Sequence, residues 1–276
     1  MKNCVLTIAG SDSSGGAGIQ ADIKAISATG SYAASVITAL TAQNTLGVQS
    51  IHTIPADFVQ AQLDSVFSDM HFDAIKIGML VNREIIDVVA NTLEKIKPKH
   101  VILDPVMVAK KGCQLLDPEI VDYLQTKLFP LATLVTPNLP EAENFLNAII
   151  SSPETMQSSA EKLGRKFKSN VLIKGGHLPI EKSSDVLFSI DADKCEWFHA
   201  ERIATTNAHG TGCTLSSAIA SFLAQSYSLS NAIHAAKNYL TQAIIAGSKF
   251  QIGNGCGPVA HFYFLESLRK NVFTHV

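Results

Sequence analysis

Short apolar runs that alternate with longer stretches of helical period constrain this chain more than any other feature. Val5–Ala9, Ser35–Leu40, Ala74–Ile77, Val101–Leu103, Thr133–Val135 and Val171–Ile173 are mostly apolar, as strands buried on both faces are. Between them, Gly18–Thr29, Asp57–Phe67 and Arg83–Ile96 suit helices. In the last of these, Ile85, Ile86, Val89 and Leu93 share one face. Asp57, just after Pro55, is expected to cap its helix. Such alternation predicts an α/β fold: a mostly parallel sheet with helices on both faces. Val186–Ile190 and Cys195–Ala200 flank a turn at 191–194 and predict a hairpin, hence a small antiparallel edge. Thr211–Gln225 and Asn231–Phe250 read as two long helices. No linker, charge block or repeat interrupts the pattern, so residues 1–276 are expected to form one domain.

Composition narrows the function. The net charge of −2 argues against a nucleic-acid binder dominated by phosphate contacts. With 46% apolar and 17% charged residues, the chain can bury a sizeable core. No apolar stretch approaches the roughly 18–20 residues of a membrane span, so no membrane partner is expected. The first residues run straight into strand-like sequence, without the pattern of a secretory signal. Cys4, Cys113, Cys195, Cys213 and Cys256 are odd in number, widely spaced and free of any Cys-x-x-Cys pair. A reducing cytoplasm fits that usage better than a disulfide or zinc scaffold.

Chemistry concentrates at strand ends. Ala9–Gly18 follows a strand, precedes a helix and carries four glycines, so its backbone can approach a ligand closely. It fits neither a Walker A loop nor Gly-x-Gly-x-x-Gly, and it could be an ordinary tight turn. Asp12 and Asp22 would lie at the carboxyl end of the strand, where open α/β sheets bind ligands. Thr206–Thr214 opens a second helix. Gly210 and Gly212 leave amide N–H groups uncovered at its start, an anion site suited to a phosphoryl group. Cys213 falls in the first turn, where its thiol pKa should drop below the usual value of about 8.5. Asp104 follows a third strand. Asn138 and Glu141 follow a fourth, where they could share a water or Mg²⁺ or simply form a capping pair. Lys174 ends a fifth strand before Gly175-Gly176-His177 and could reach a phosphate or sit as a solvated charge. Together these groups suggest phosphate chemistry with a divalent metal, outside any Walker scaffold.

Taken as a set, the motifs are specific: SSGGAGIQADIK over Ser13–Lys24, Thr41–Thr45, Lys76–Leu80, DPVMVA over Asp104–Ala109, TPNLPEAE over Thr136–Glu143, and HGTGC over His209–Cys213. Nearly the whole chain resembles the hydroxymethylpyrimidine/phosphomethylpyrimidine kinases of thiamine biosynthesis, within the ribokinase-like superfamily. The resemblance implies a ribokinase-like three-layer sandwich. It implies transfer of the γ-phosphate of MgATP to 4-amino-5-hydroxymethyl-2-methylpyrimidine, then phosphorylation of the monophosphate. Gly10, Asp22 and Gln43 would line the pyrimidine pocket, with Met79 and Val106 over the ring faces. Gly210, Thr211 and Gly212 would surround the γ-phosphate. Asn138 and Glu141 would organise Mg²⁺ largely through water. Asp104 and Lys174 would lie near the triphosphate and Lys237 near the nucleotide. Cys213 stands where sugar kinases of the superfamily carry an aspartate base. Members are commonly dimers, so a homodimer is implied, while any monovalent-cation requirement stays open. Ala208 replaces a usual threonine, and Lys110-Lys111 is bulkier than usual; Lys111 could help attract phosphate but is expected to face water.

Three other readings compete. A pyridoxal or pyridoxine kinase would accept a similar flat ring with a hydroxymethyl arm. A hydrolase would use Cys213 as nucleophile and His209 as base. A catalytically silent vitamin-binding module would keep the pocket without turnover.

Overall fold

The computed structural model describes residues 2–107, 118–176, 178 and 182–265. Cys113, Val108, Ala109, Lys110, Lys111 and His177, all singled out in the sequence, lie outside the described residues. In chain order the elements are β1 (Cys4–Asp12), α1 (Gly18–Ala28), β2 (Tyr32–Asn44), β3 (Gly47–Thr53), α2 (Ala56–Asp69), β4 (Ala74–Ile77), α3 (Arg83–Ile96), β5 (Val101–Leu103) and α4 (Pro118–Lys127). A 3₁₀ turn (Phe129–Leu131) leads to β6 (Leu134–Val135), α5 (Leu139–Leu146), α6 (Pro153–Phe167), β7 (Asn170–Ile173), β8 (Lys182–Ser189), β9 (Lys194–Glu201), α7 (Thr211–Ala224) and α8 (Leu229–Gly247).

Among the described residues the strands form one nine-stranded sheet in the order β3-β2-β1-β4-β5-β6-β7-β8-β9. The six central strands, β2-β1-β4-β5-β6-β7, pair in parallel. Antiparallel strands flank them at both ends, not at one. The additional edge strand is β3, which folds back on β2 with Thr41 opposite Ile51. β1 and β2 also run beyond their apolar cores. Their pairing shifts register between Ala9 and Ser11 and then continues to Asp12 opposite Thr41.

Alternation along each strand sends side chains to two separate cores. Ile75 and Ile77 join Leu6, Leu103 and Val135 against α2, α3, α4, α5 and α6. Val5, Ala74, Ile102 and Leu134 face α1, α7 and α8. The result is the three-layer α/β sandwich that the alternating pattern predicts. α3 covers its core with the predicted stripe: Ile85, Ile86, Val89 and Leu93 are buried, and Asn82 caps the helix by accepting from the Ile85 N–H. Asp57 does not cap α2. The helix starts at Ala56 with no side-chain cap, and the Asp57 carboxylate accepts from the adjacent Phe58 N–H at 2.8 Å. It still lies in the first turn, where a negative charge suits the helix dipole. No described helix is long and apolar enough to cross a membrane.

The α4–α6 side is pinned by three aromatic rings in edge-to-face contact. Phe129 lies 4.5 Å from Phe167 and 5.4 Å from Phe145, centroid to centroid. Phe129 is fully buried. Phe129→Ala should therefore lower the unfolding free energy by about 3–5 kcal/mol in urea titration, the cost of deleting a large ring from a packed core.

Candidate active site

Parallel strands present their carboxyl ends to one edge of the sheet. There a crevice opens where the chain order departs in both directions from β1. A cavity of about 750 Å³ occupies this edge. Gly10 and Met79 lie on its wall with Val106 and Gln43. Asp104, Asn138, Glu141 and Lys174 share it with Thr211, Gly212 and Cys213. Gly10 lies directly against Met79: a Cβ there would come 2.5 Å from Met79 Cε and would push that flexible side chain aside.

Two loops far apart in sequence build the floor. The Asp12 carboxylate accepts from Ser14 N–H and Ala17 N–H at 2.8 Å each, and from Gly16 N–H at 3.1 Å. It also meets His209 Nε2 at 2.8 Å. Burial alone would raise the Asp12 carboxyl, but the bonds from His209, Ser14 and Ala17 outweigh it and hold the pKa at about 2. Gly210 sits at φ +76°, and any Cβ on it would run into the Gly16 carbonyl oxygen. Its left-handed turn starts α7 with no side-chain cap, so the first amides of the helix face the cavity without competition. At Gly212 a Cβ would fall 3.3 Å from Lys174 Nζ and 3.4 Å from Asp104 Oδ2, which shows how closely the helix start approaches the charged end.

The thiol of Cys213 overturns the sequence expectation. Burial pushes it up to about 11, reinforced by the Asp22 and Asp104 carboxylates. Lys76 and the Gly18 N–H pull the other way and do not prevail. Desolvation of a thiolate exceeds what one helix terminus offers. A nucleophilic role with His209 as base loses support for the same reason, and the His209 Nε2 is committed to Asp12.

The opposite end is dense in charge. Lys174 Nζ donates to Asp104 at 2.6 Å. Burial lowers the lysine, yet Asp104 and Glu141 together hold it above its ordinary value. Asn138 and Glu141 form a full capping box on α5. Asn138 Oδ1 accepts from Glu141 N–H at 2.9 Å, and Glu141 carboxylate accepts from Asn138 N–H at 2.7 Å. Burial and the neighbouring Asp104 raise the Glu141 carboxyl, against Lys174. Among the described residues no three His, Cys, Asp or Glu side chains form a metal cage. Hard oxygens at Asp104, Asn138 and Glu141 fit a cation held mainly by water and phosphate. Farther along, Lys237 Nζ donates to Asp185 at 2.6 Å, beside apolar walls from Ala200, Ile203, Leu240 and Ile244.

Asp22 is not on the wall. It is fully buried behind it, where it accepts from Thr7 Oγ1 and Ser217 Oγ at 2.7 Å and from Lys76 Nζ at 2.9 Å. Its place on α1 turns it toward the sheet, away from the cavity. Sequence reasoning also passed over Lys76 and the structural roles of Asp12 and His209. A readable signal existed for Lys76: one lysine inside an otherwise apolar four-residue strand must find a buried partner.

Comparison with known proteins identifies the family. A family model described as phosphomethylpyrimidine kinase matches residues 12–260. The chain is 48% identical to the hydroxymethylpyrimidine/phosphomethylpyrimidine kinase of Escherichia coli K12, over 94% of this chain and 97% of that protein. It is 50% identical to a thiamine biosynthesis bifunctional protein of Geobacter sulfurreducens, covering 97% of this chain but spanning only 54% of that protein's length. An ADP complex of Bacillus subtilis pyridoxal kinase superposes with a TM-score of 0.88 at 36% identity, over 96% of this chain and 99% of that one.

The Asp12 network carries a pH signature. Because the folded-state pKa lies below the ordinary value of 3.8, its stabilisation is complete above about pH 4 and is lost as the pH falls toward 2. Asp12→Asn should lower the thermal midpoint at neutral pH and flatten its fall across that acid window, measured by calorimetry at a series of pH values.

Proposed function

The chain belongs to the phosphomethylpyrimidine kinase family, and on that premise we propose that it phosphorylates 4-amino-5-hydroxymethyl-2-methylpyrimidine with ATP, then converts the monophosphate to the diphosphate. What carries this reading is a single cavity with an apolar ring slot at one end, a lysine-carboxylate cluster at the other, and the bare start of α7 between them.

Each residue then has a physical task. Met79 and Val106 flank a flat ring, and Gln43 offers both a donor and an acceptor to its edge. Amides of Gly210, Thr211 and Gly212 receive the γ-phosphate and the charge that spreads over it during transfer. Lys174 meets the phosphates by exchanging its bond to Asp104, and Lys237 approaches the nucleotide from Asp185. Asn138 and Glu141 would hold Mg²⁺ through water. When bound, that ion would neutralise phosphate charge.

Cys213 faces two different acceptors in the two steps. The first acceptor is an alcohol. The Cys213 thiol first loses its proton to solvent; the alcohol proton then passes to the Sγ thiolate as the alcohol oxygen bonds to the γ-phosphorus, the bond from that phosphorus to the ADP oxygen breaks, and ADP leaves. A thiol with pKa near 11 is neutral in the resting enzyme, so the thiolate is a minor species, yet a strong proton acceptor once formed. The second acceptor is a phosphate monoester, with second pKa near about 6, which has already lost the proton in question.

A pyridoxal kinase is the second reading, favoured by the close superposition on the Bacillus subtilis enzyme. Comparing kcat/KM for the two rings separates them, and a large preference for pyridoxal would overturn the pyrimidine assignment.

A coupled assay of ADP release should show turnover on the hydroxymethylpyrimidine and on its monophosphate; no turnover on either refutes the kinase reading. Cys213→Ala should cut kcat on the alcohol by about 10²–10⁴-fold, the range of general-base contributions, and cut it much less on the monophosphate. Gln43→Ala should raise KM for the pyrimidine and leave KM for ATP nearly unchanged. Loss of nucleotide binding instead would reverse the placement of the two substrates.

A further inference from the structure

Lys76 is a fully buried lysine on β4 that the nucleotide and pyrimidine contacts leave without a task. Its Nζ donates to Asp22 at 2.9 Å. The same carboxylate accepts from Ser217 on α7, at 2.7 Å. Ser217 lies four residues after Cys213, so both occupy one face of α7, one turn apart. Thr7, directly opposite Lys76 in the β1–β4 register, closes the cluster at 2.7 Å from Asp22. Lys76 and Cys213 both line the cavity, and a Cβ at Gly78 would fall 2.8 Å from the ammonium, which is thus pressed against the strand end below the ring slot.

We propose that Lys76 is a positioning residue for Cys213: anchored by Asp22, its ammonium is the counter-charge that lets the thiolate form beside the Asp22 and Asp104 carboxylates. The groups that face the thiol come from every packed element. They are Lys76 on β4, Asp22 on α1, Asp104 after β5 and the N–H of Gly18, with Lys174 beyond Asp104. Of these, Asp22 and Asp104 oppose the thiolate. Lys76 is the cation that compensates them, and Asp22 keeps it charged despite full burial. Removing the Lys76 charge leaves the Asp22 and Asp104 carboxylates unopposed at the thiol, whereas a substitution that keeps the charge does not. A cluster that only braced the fold would not distinguish the two. The use of this coupling in proton transfer rests on the kinase reading.

The test is the rate at which iodoacetamide alkylates Cys213 in the full-length protein, read from its peptide by mass spectrometry from neutral to alkaline pH. Only the thiolate reacts, so the profile reports ionisation. Lys76→Met should slow alkylation by about tenfold or more below the midpoint, one pKa unit being tenfold in thiolate. Lys76→Arg, which keeps the charge, should stay close to the wild-type profile. An unchanged profile in folded Lys76→Met, or the same slowing in folded Lys76→Arg, overturns the proposal. Should Lys76→Met fail to fold, Lys76→Gln, which can still bond Asp22 without a charge, decides in its place: an unchanged or lowered midpoint refutes the coupling. Lys76→Met should also lower kcat on the alcohol more than on the monophosphate. A wild-type enzyme inactive on both would refute the kinase reading and leave the alkylation result standing.

Discussion

The carboxylate of Asp22 joins four elements that no backbone ladder could join. Thr7 on β1, Lys76 on β4 and Ser217 on α7 all converge on a side chain from α1. Two charges are thereby taken wholly out of water, which costs several kcal/mol for each ion unless its partner and hydrogen bonds are well placed. Here they are, and the cluster lies at the point where the strand order turns. It fixes α7 in register against β1 and β4, and so fixes where the bare amides of α7 point. The cavity is a consequence of that register.

At the other end of the cavity the same logic runs with smaller commitments. Lys174, Asp104 and Glu141 form a group whose charges partly satisfy each other. The Lys174 side chain keeps 15% of its surface exposed, so an anionic ligand can bond the lysine from the cavity. Asp22 and Lys76 have no such freedom, because both side chains are fully buried and bonded to each other. One pair is built for exchange and the other for permanence, and the difference lies in burial rather than in residue type.

Much of the architecture is legible in the sequence because each central strand is apolar on both faces and each covering helix shows a stripe. Arg83–Ile96 appears as read, down to its buried face. Gly47–Thr53 is not legible. It lies at the sheet edge, carries few apolar residues and leaves Gln49, Ser50 and His52 exposed or nearly so, so no period marks it. In the site, residue types and strand ends are readable, but directions are not. Asp22 follows a glycine loop by one helical turn, which looks like a ligand position, whereas α1 rolls that side chain onto the sheet. Asn138 and Glu141 answer to both of their readings, since they cap a helix and still line the cavity. Cys213 shows the limit of local reasoning. A first-turn position lowers a thiol in water, and neighbours from three other elements decide otherwise.

The position of α7 in the chain has a consequence for synthesis. It packs on β1, β4 and β5, yet it begins only at Thr211, after the six parallel strands are complete. Val5, Ala74 and Ile102 therefore leave the ribosome as an uncovered greasy face that no earlier helix except α1 can shield. Such a nascent sheet is prone to self-association until its last quarter emerges, and a stalled or truncated chain would be a natural client for a holding chaperone.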